Sequence, residues 1–566
     1  MGEQSKYLPE CPEMNEVVRK LTEEYGGHVI FSRESEVYVE VSRHALRDVA
    51  KYLYSSGAFL KTCAAVDERP LNHSFALYHI FGMDSEGYDI IVKVSAPEDD
   101  AWVPSIVDVV PAADWCELEA RDMIGIELRG RRLVRRLVLP EDWPEDVHPL
   151  RKEVPHDFRP PSVKAESEFR PPERGIPIGP YHPVLHEPEY FELLVEGETV
   201  VDVFYRGFHV HRGIEKLGES PRFTYQKIPF LAERICGICG FVHSTCAIMA
   251  MEKAAEIRPP ERAEFIRTIV LELERIHSHL LWVGVAAHVL GYDAGFMHTW
   301  RVREPIMILS ELITGSRKTY GLNLVGGVRR DIDKDKMEKI MKTLDKLENE
   351  FKELANLLVS VPQIRKRAQG TGVLTRSEAR ALSVVGPVAR ASGLYRDVRK
   401  DYPYLAYKEA SFKVPLYTEG DNLARVLVRV EEVFESISII RQLLDKLPGG
   451  PIMHEKCSAI IPVDELIPPG RYAVAAIEAP RGEDVHFLMT GEGRPYRWRV
   501  RAPTYQNIPA LRPMLRGDPL ADAPLTIASI DPCFSCTDRA LVIDVRTGRA
   551  RTIKLWDTGG VGTCRL

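Results

Sequence analysis

Two short stretches carry the residues best suited to metal chemistry. "ERICGICGFVHSTC" (Glu233–Cys246) and "DPCFSCTDR" (Asp531–Arg539) each hold a Cys-x-x-Cys pair, Cys236 with Cys239 and Cys533 with Cys536. Four thiolates suit a structural zinc ion, an iron–sulfur cluster, or a bimetallic site in which some sulfurs bridge two metals, nickel and iron among them. A zinc ribbon sets its pairs within tens of residues, whereas these lie far apart in the chain. Gly237 inside the first pair lets backbone crowd a ligand. Arg234 and Arg539 flank the pairs, as donors to an anionic ligand would. Cys11, Cys63, Cys116 and Cys457 stand alone and read as small apolar residues, and Cys246 as core packing. No disulfide framework is expected in so long a chain without a signal-like start.

These pairs need elements to bring them together. At 566 residues the chain is expected to form two or more domains. Its net charge of -7 argues against a general nucleic-acid binder. The polar, acidic start has no apolar signal core, and the most apolar run, Leu280–Tyr292, is too short to span a membrane and reads as a buried helix. Residues 1–150 read as a small α+β domain. His28–Arg43, "FALYHIFGM" and "YDIIVKVSA" have strand character, and Asp114–Leu128 reads as an amphipathic helix running into a turn. Residues 148–183, dense in proline and charge, predict an extended surface linker, so the second domain is set to start at 179. The rest reads as mainly helical. Apolar residues recur at steps of three and four over Asp335–Leu358 and Asp421–Leu447, and a third long helix is expected over residues 262–290. The fold class is therefore α+β, with a large, mostly helical second domain.

The two cysteine motifs closely resemble those of [NiFe] hydrogenase large subunits. "GPYHPVLHEPEYFELLVEGE", "HRGIEKL" and "ERIHSHLLWVG" are similar to the 49 kDa subunit of respiratory complex I and its hydrogenase relatives, and "WCELEARDMIGIEL" with "RRLVLPEDWPEDVHPLRKE" to the 30 kDa subunit. The fusion resembles formate hydrogenlyase large subunits, which are membrane-bound, energy-converting group 4 [NiFe] hydrogenases. A complex I-like quinone reductase is the nearer alternative, but such subunits lack the cysteine pairs and usually have glycine where this chain has Glu187. A cofactor-free scaffold that couples redox partners to a membrane arm is the other.

The resemblance implies that Cys236 and Cys533 bind nickel terminally and that Cys239 and Cys536 bridge nickel to iron. It makes Cys533 the proton-accepting thiolate and Glu187 the next carrier, since a glutamate in an apolar pocket exchanges protons near neutrality. Iron in this family carries carbon monoxide and cyanide, and Arg481 and Thr504 match positions lining that pocket. His243 is expected to donate to a cysteine sulfur. His182, His209 and His211 suit either a proton path or structural hydrogen bonding. Glu215 matches a carboxylate holding a magnesium or iron ion in some relatives, but Arg539 stands where its usual histidine partner would be, which leaves that ion unsupported. The implied partners are a small subunit with a [4Fe–4S] cluster, a ferredoxin-like subunit and complex I-like membrane subunits, with H₂ and protons as substrates. The implied place is the cytoplasmic side of the membrane, held peripherally. Residues 540–566 match an extension removed after metal loading, although "ALVIDV" and "RTIKLW" around "RTGR" also read as a hairpin.

Overall fold

The computed structural model describes residues 12–158, 175–180, 182, 185, 187–209, 211–318, 320–457, 462–534, 542–544 and 549–551, apart from 34, 133, 141 and 142. The amino-terminal part is built on a five-stranded sheet. Its order is His28–Arg33, Glu36–Glu40, Tyr88–Pro97, Ser74–Met83 and Phe59–Asp67, antiparallel except where Glu36–Glu40 meets Tyr88–Pro97. Its strands bury both faces. Val37, Val39, Leu77 and Val92 belong to one core with the helices Leu46–Ser55 and Asp114–Ile124. The alternate residues Tyr38, Tyr78 and Ile91 belong to another with Val474, Phe487 and Met489, far along the chain. This is the two-residue period of a strand serving two cores.

The amphipathic helix predicted over Asp114–Leu128 runs Asp114–Ile124. It stops at Gly125, whose left-handed φ of 85° turns the chain into the strand Glu127–Arg129. One expectation is overturned here: Cys63 and Cys116 are disulfide-bonded, with Cα atoms 5.3 Å apart. Neither lies in a paired motif. The strand Phe59–Asp67 and the helix Asp114–Ile124 pack together and bring the two sulfurs face to face.

The second part contains the long helices Gly240–Ala255, Glu261–Val289, Asp293–Thr314, Lys334–Ser360 and Asn422–Asp445. Asp333 and Asp421 cap the last two by accepting backbone N–H groups of Lys336 and Ala424. It is less purely helical than its periodicity implies. It also holds two three-stranded antiparallel sheets, one of Gly175–Ile178, Tyr190–Glu196 and Thr199–Arg206, the other of Tyr472–Ala479, Gly482–Thr490 and Pro495–Arg501. The second of these packs on the amino-terminal sheet through Val474, Phe487 and Met489, and its middle strand Gly482–Thr490 is buried throughout although it carries Glu483, Asp484 and His486.

Within the predicted linker, residues 148–158 form packed turns. Leu150 donates to Met123 O, and the Lys152 ammonium lies 2.7 Å from Glu219. In the tail, Val542–Asp544 pairs antiparallel with Arg549–Arg551; the remainder of the expected hairpin lies outside the described residues. Among the described residues no helix is long and apolar enough to cross a membrane.

Candidate metal centre

The helix Gly240–Ala255 begins immediately after the first cysteine pair, with Cys239 at its N-cap. Gly240 is required there, because a Cβ would come within 2.7 Å of Glu233 O. The turn aims two N–H groups, of Ile238 and Cys239, at Cys236 Sγ, each at 3.2 Å. Such donors favour the thiolate that a metal needs. From the other end of the chain, Cys533 brings its Sγ to 2.9 Å from Cys236 Sγ. That is longer than a disulfide bond of about 2.05 Å. The two sulfurs are close enough together that both could serve as ligands of one metal centre. Cys236, Cys239 and Cys533 are all buried. Cys536 and Arg539 lie outside the described residues.

Cys533 is held by two side chains singled out in the sequence. Its N–H donates to Thr504 Oγ1 at 3.1 Å. Arg481 sits in a two-residue turn between paired Ala479 and Gly482, the close-packed turn that "APRG" implies. Its guanidinium donates to Asp531 O at 2.7 Å, to Asp531 Oδ1 at 2.8 Å and to Ser278 Oγ at 3.1 Å. Burial opposes its charge, but Asp531, Cys239, Cys533 and Cys236 outweigh burial and raise its pKa. Asp531 itself adopts a left-handed φ of 55°, so the second motif turns sharply just before its first cysteine.

Other site residues were not singled out in the sequence. Glu274 accepts the N–H groups of Phe241 and Val242 at 3.1 and 2.9 Å, where the positive end of the cysteine helix favours a carboxylate. Lys318 Nζ reaches Ile238 O at 2.6 Å and Glu274 at 3.5 Å. Burial works against the Lys318 charge, but Tyr320, Glu274 and the two nearby thiols raise its pKa. The signal for Glu274 was present in "ERIHSHLL": a charged residue on a helix too apolar to leave it in water. His243 is fully buried, and its Nδ1 lies 3.1 Å from Asp484 Oδ2. "EDVHF" carried that partner one strand step from a histidine.

Glu187 is half-buried, two residues before the wholly buried Glu189. His209 bonds Arg206 O at 3.0 Å and His211 accepts the Gly213 N–H at 3.3 Å, which are structural hydrogen bonds; His182 is half-buried. Cys246 donates to Ala475 O inside the core, as expected of packing. Arg234 does not serve the site. Its side chain is half exposed and bonds Phe230 O. Glu215 is occupied by protein groups: Arg497 at 2.7 Å, Arg499 at 3.2 Å and the Val500 N–H at 3.0 Å. Burial would raise its pKa, but the two arginines hold it at about 2. With those cations beside it, Glu215 has no room for a divalent ion.

The buried thiols Cys236, Cys239 and Cys533, brought together by the two cysteine segments, make a soft-donor site of the kind that holds a thiophilic metal. Comparison agrees. Residues 290–539 match the respiratory-chain NADH dehydrogenase 49 Kd subunit model, residues 39–159 the 30 Kd subunit model, and residues 212–285 the nickel-dependent hydrogenase model. Formate hydrogenlyase subunit 5 of Escherichia coli is 43% identical, over 94% of this chain and 95% of its own. Hydrogenase-4 component G of the same organism is 43% identical, over 92% and 91%. A chain from the structure of the membrane-bound sulfane sulfur reductase, an archaeal respiratory membrane complex, is 34% identical with a TM-score of 0.61, over 65% of this chain and 100% of that one. The chain belongs to the family of energy-converting [NiFe] hydrogenase catalytic subunits of the formate hydrogenlyase type. It is an oxidoreductase that interconverts protons and H₂ at a nickel–iron centre.

Proposed function

We propose that Cys236, Cys239, Cys533 and Cys536 are the ligands of that centre. The observation that carries this reading is the 2.9 Å approach of Cys236 and Cys533 from opposite ends of the second domain. The bound centre supplies the electron exchange and the site where protons and H₂ interconvert. The chain's own residues do the rest. Cys533 Sγ takes and releases a proton, and Thr504 and Arg481 fix its backbone and its segment. Glu187 carries the proton onward. Arg481 keeps a buried positive charge beside the thiols, in a pocket suited to iron with carbon monoxide and cyanide ligands.

Electrons arrive from a small subunit with a [4Fe–4S] cluster and a ferredoxin-like subunit. Complex I-like membrane subunits hold the assembly on the cytoplasmic side. This reading is supported by relatives named as parts of a formate hydrogenlyase and a hydrogenase. The amino-terminal domain includes the packed turns at 148–158 and the catalytic domain runs from the strand Gly175–Ile178 to 539, which shortens the linker expected over 151–178 from both ends, and 540–566 is removed on maturation. The test is nickel and iron analysis of the purified complex with Cys236→Ser and Cys533→Ser. Each variant is expected to lose nickel, and a nickel-replete variant refutes the ligand assignment.

A further inference from the structure

The loop between Cys236 and Cys239 is gripped by side chains from outside it. Ile238 O accepts the Lys318 ammonium at 2.6 Å and the His277 ring, through Nε2, at 3.1 Å. The peptide that carries this oxygen continues as the Cys239 N–H, which donates to Cys236 Sγ at 3.2 Å. One peptide unit thus joins two donors on its carbonyl to a thiol on its amide. Behind His277, Arg303 donates to the ring Nδ1 at 3.1 Å and to the His277 carbonyl at 3.2 Å. His277 comes from the helix Glu261–Val289, Arg303 from the helix Asp293–Thr314 and Lys318 from the segment just after it. His277 is fully buried, whereas Lys318 and Arg303 are half-buried.

Two roles fit a buried imidazole in this position: a proton carrier, or a fixed donor. The partners of His277 decide between them. A carbonyl oxygen only accepts, so Nε2 carries the ring proton. A guanidinium only donates, so Nδ1 keeps its lone pair. A second proton on Nδ1 would point at Arg303. Burial, Lys318 and Arg303 all oppose it, and they hold the His277 pKa well below its ordinary value. The ring is therefore a neutral donor with no proton to pass on. Lys318 adds a charge to the same oxygen. Charge-assisted hydrogen bonds are about twice as strong as neutral ones, and bonds in a chain polarise one another. Pulling electron density toward Ile238 O makes the Cys239 N–H a stronger donor to Cys236 Sγ.

We propose that Lys318 and His277, the latter oriented by Arg303, are positioning residues that act through the Ile238–Cys239 peptide to set the electron density on Cys236 Sγ. Glu274, 3.5 Å from Lys318, holds the cation in place while its own oxygens accept the N–H groups of Phe241 and Val242. The loop is thereby fixed at its carbonyl and at the start of the helix that follows it. Hydrogen bonds to a ligand sulfur are one means by which a protein sets a metal's reduction potential, and losing an outer partner typically costs about 10–100-fold in affinity or activity. The polarised peptide stands on its own geometry; its effect on the centre rests on Cys236 being a metal ligand.

The test has two arms. The first reads the peptide by NMR in the metal-free full chain labelled with ¹⁵N-cysteine, with Cys239→Ser used to assign its amide. Lys318→Met and His277→Leu are each expected to move the Cys239 amide proton upfield, the sign of a weaker hydrogen bond. Lys318→Arg and His277→Gln keep a donor for Ile238 O and are expected to stay near the wild-type position. An amide unmoved by both Lys318→Met and His277→Leu overturns the proposal. So does one moved as far by the conservative pair, since that marks a general loss of packing. The second arm uses the assembled, nickel-loaded complex. Lys318→Met is expected to lower H₂ evolution about 10–100-fold. It is also expected to shift the nickel midpoint potential, read by electron paramagnetic resonance, to more negative values, because a cation no longer favours the reduced state. His277→Leu is expected to shift it the same way by less. A nickel-replete Lys318→Met variant at the wild-type potential overturns the effect on the centre. Failure of the ligand assignment shows separately, as nickel retained in Cys236→Ser.

Discussion

Arg481 illustrates how a charge is kept in a dry site. Its guanidinium is 2% exposed, and all three of its nitrogens donate, to Asp531 and Ser278. A buried cation without such partners would be strongly destabilising. Here it instead joins the turn at 481 to the segment carrying Cys533, so one residue both sets geometry and places positive charge beside the thiols. Glu187 has a different character: it is half-buried. Glu187→Gln keeps the size and removes the exchangeable proton. Its H₂ evolution should fall by at least about 10²-fold with nickel content unchanged, as expected for loss of a proton-transfer group. Hydrogen evolution assays paired with metal analysis check this. Near-wild-type turnover would exclude Glu187 as the required carrier.

At the scale of single elements, the strand Ser74–Met83 buries His79 completely, and burial pushes its pKa down to about 4. An unfolded imidazole titrates near 6.5. Below that pH the unfolded chain binds a proton that the folded chain refuses. The stability contribution is thus intact above about 6.5 and is lost as pH falls toward 4, by about 3 kcal/mol at about 1.4 kcal/mol per unit. His79→Leu should flatten this acid-side loss, which denaturant titrations at pH 7 and pH 4 measure; an unchanged slope would count against it. The strand pair of Val542–Asp544 and Arg549–Arg551 in the tail is the other element with a prediction attached. We expect cleavage between Arg539 and Ala540 once nickel is loaded, because the second cysteine segment must close over the metals. Intact mass of the active enzyme decides it: a mass that still includes Leu566 shows maturation without the cut.

The whole molecule is held together by a sheet-on-sheet contact between its two parts. Tyr38, Tyr78 and Ile91 pack on Val474, Phe487 and Met489. Beside them Lys61, fully buried, lies 2.7 Å from Asp89 and 3.5 Å from Glu483. Removing residues 1–158 would expose that apolar face and leave Glu483 without one of its cations. We predict that residues 159–566 made alone aggregate, and that co-expression with residues 1–158 restores a soluble pair that copurifies. A soluble, monomeric 159–566 fragment would show that the contact is dispensable.

The sequence by itself determined the elements whose cause is local. Helical periodicity marked Lys334–Ser360 and Asn422–Asp445 to within a few residues, and capping by Asp333 and Asp421 needs only the next three residues. The proposed ligands Cys236, Cys239, Cys533 and Cys536 stand out in the sequence because thiolate chemistry demands particular residue types at short spacing. What only the tertiary structure decided is non-local. Neither small sheet of the second part is legible as a sheet in the sequence; the strand Gly482–Thr490, for one, is buried throughout yet mixes Glu483, Asp484 and His486 with apolar residues, so it shows no simple alternation. The Cys63–Cys116 bond joins residues from a strand and a helix with no shared motif. Glu215 matched a metal carboxylate locally, yet Arg497 and Arg499 arrive from a distant strand and fill it. Nothing in the sequence joins His277 and Lys318 to the first cysteine loop; packing sets both on the Ile238 carbonyl. Contacts between residues far apart in the chain depend on packing many elements at once, and no short window of sequence records that.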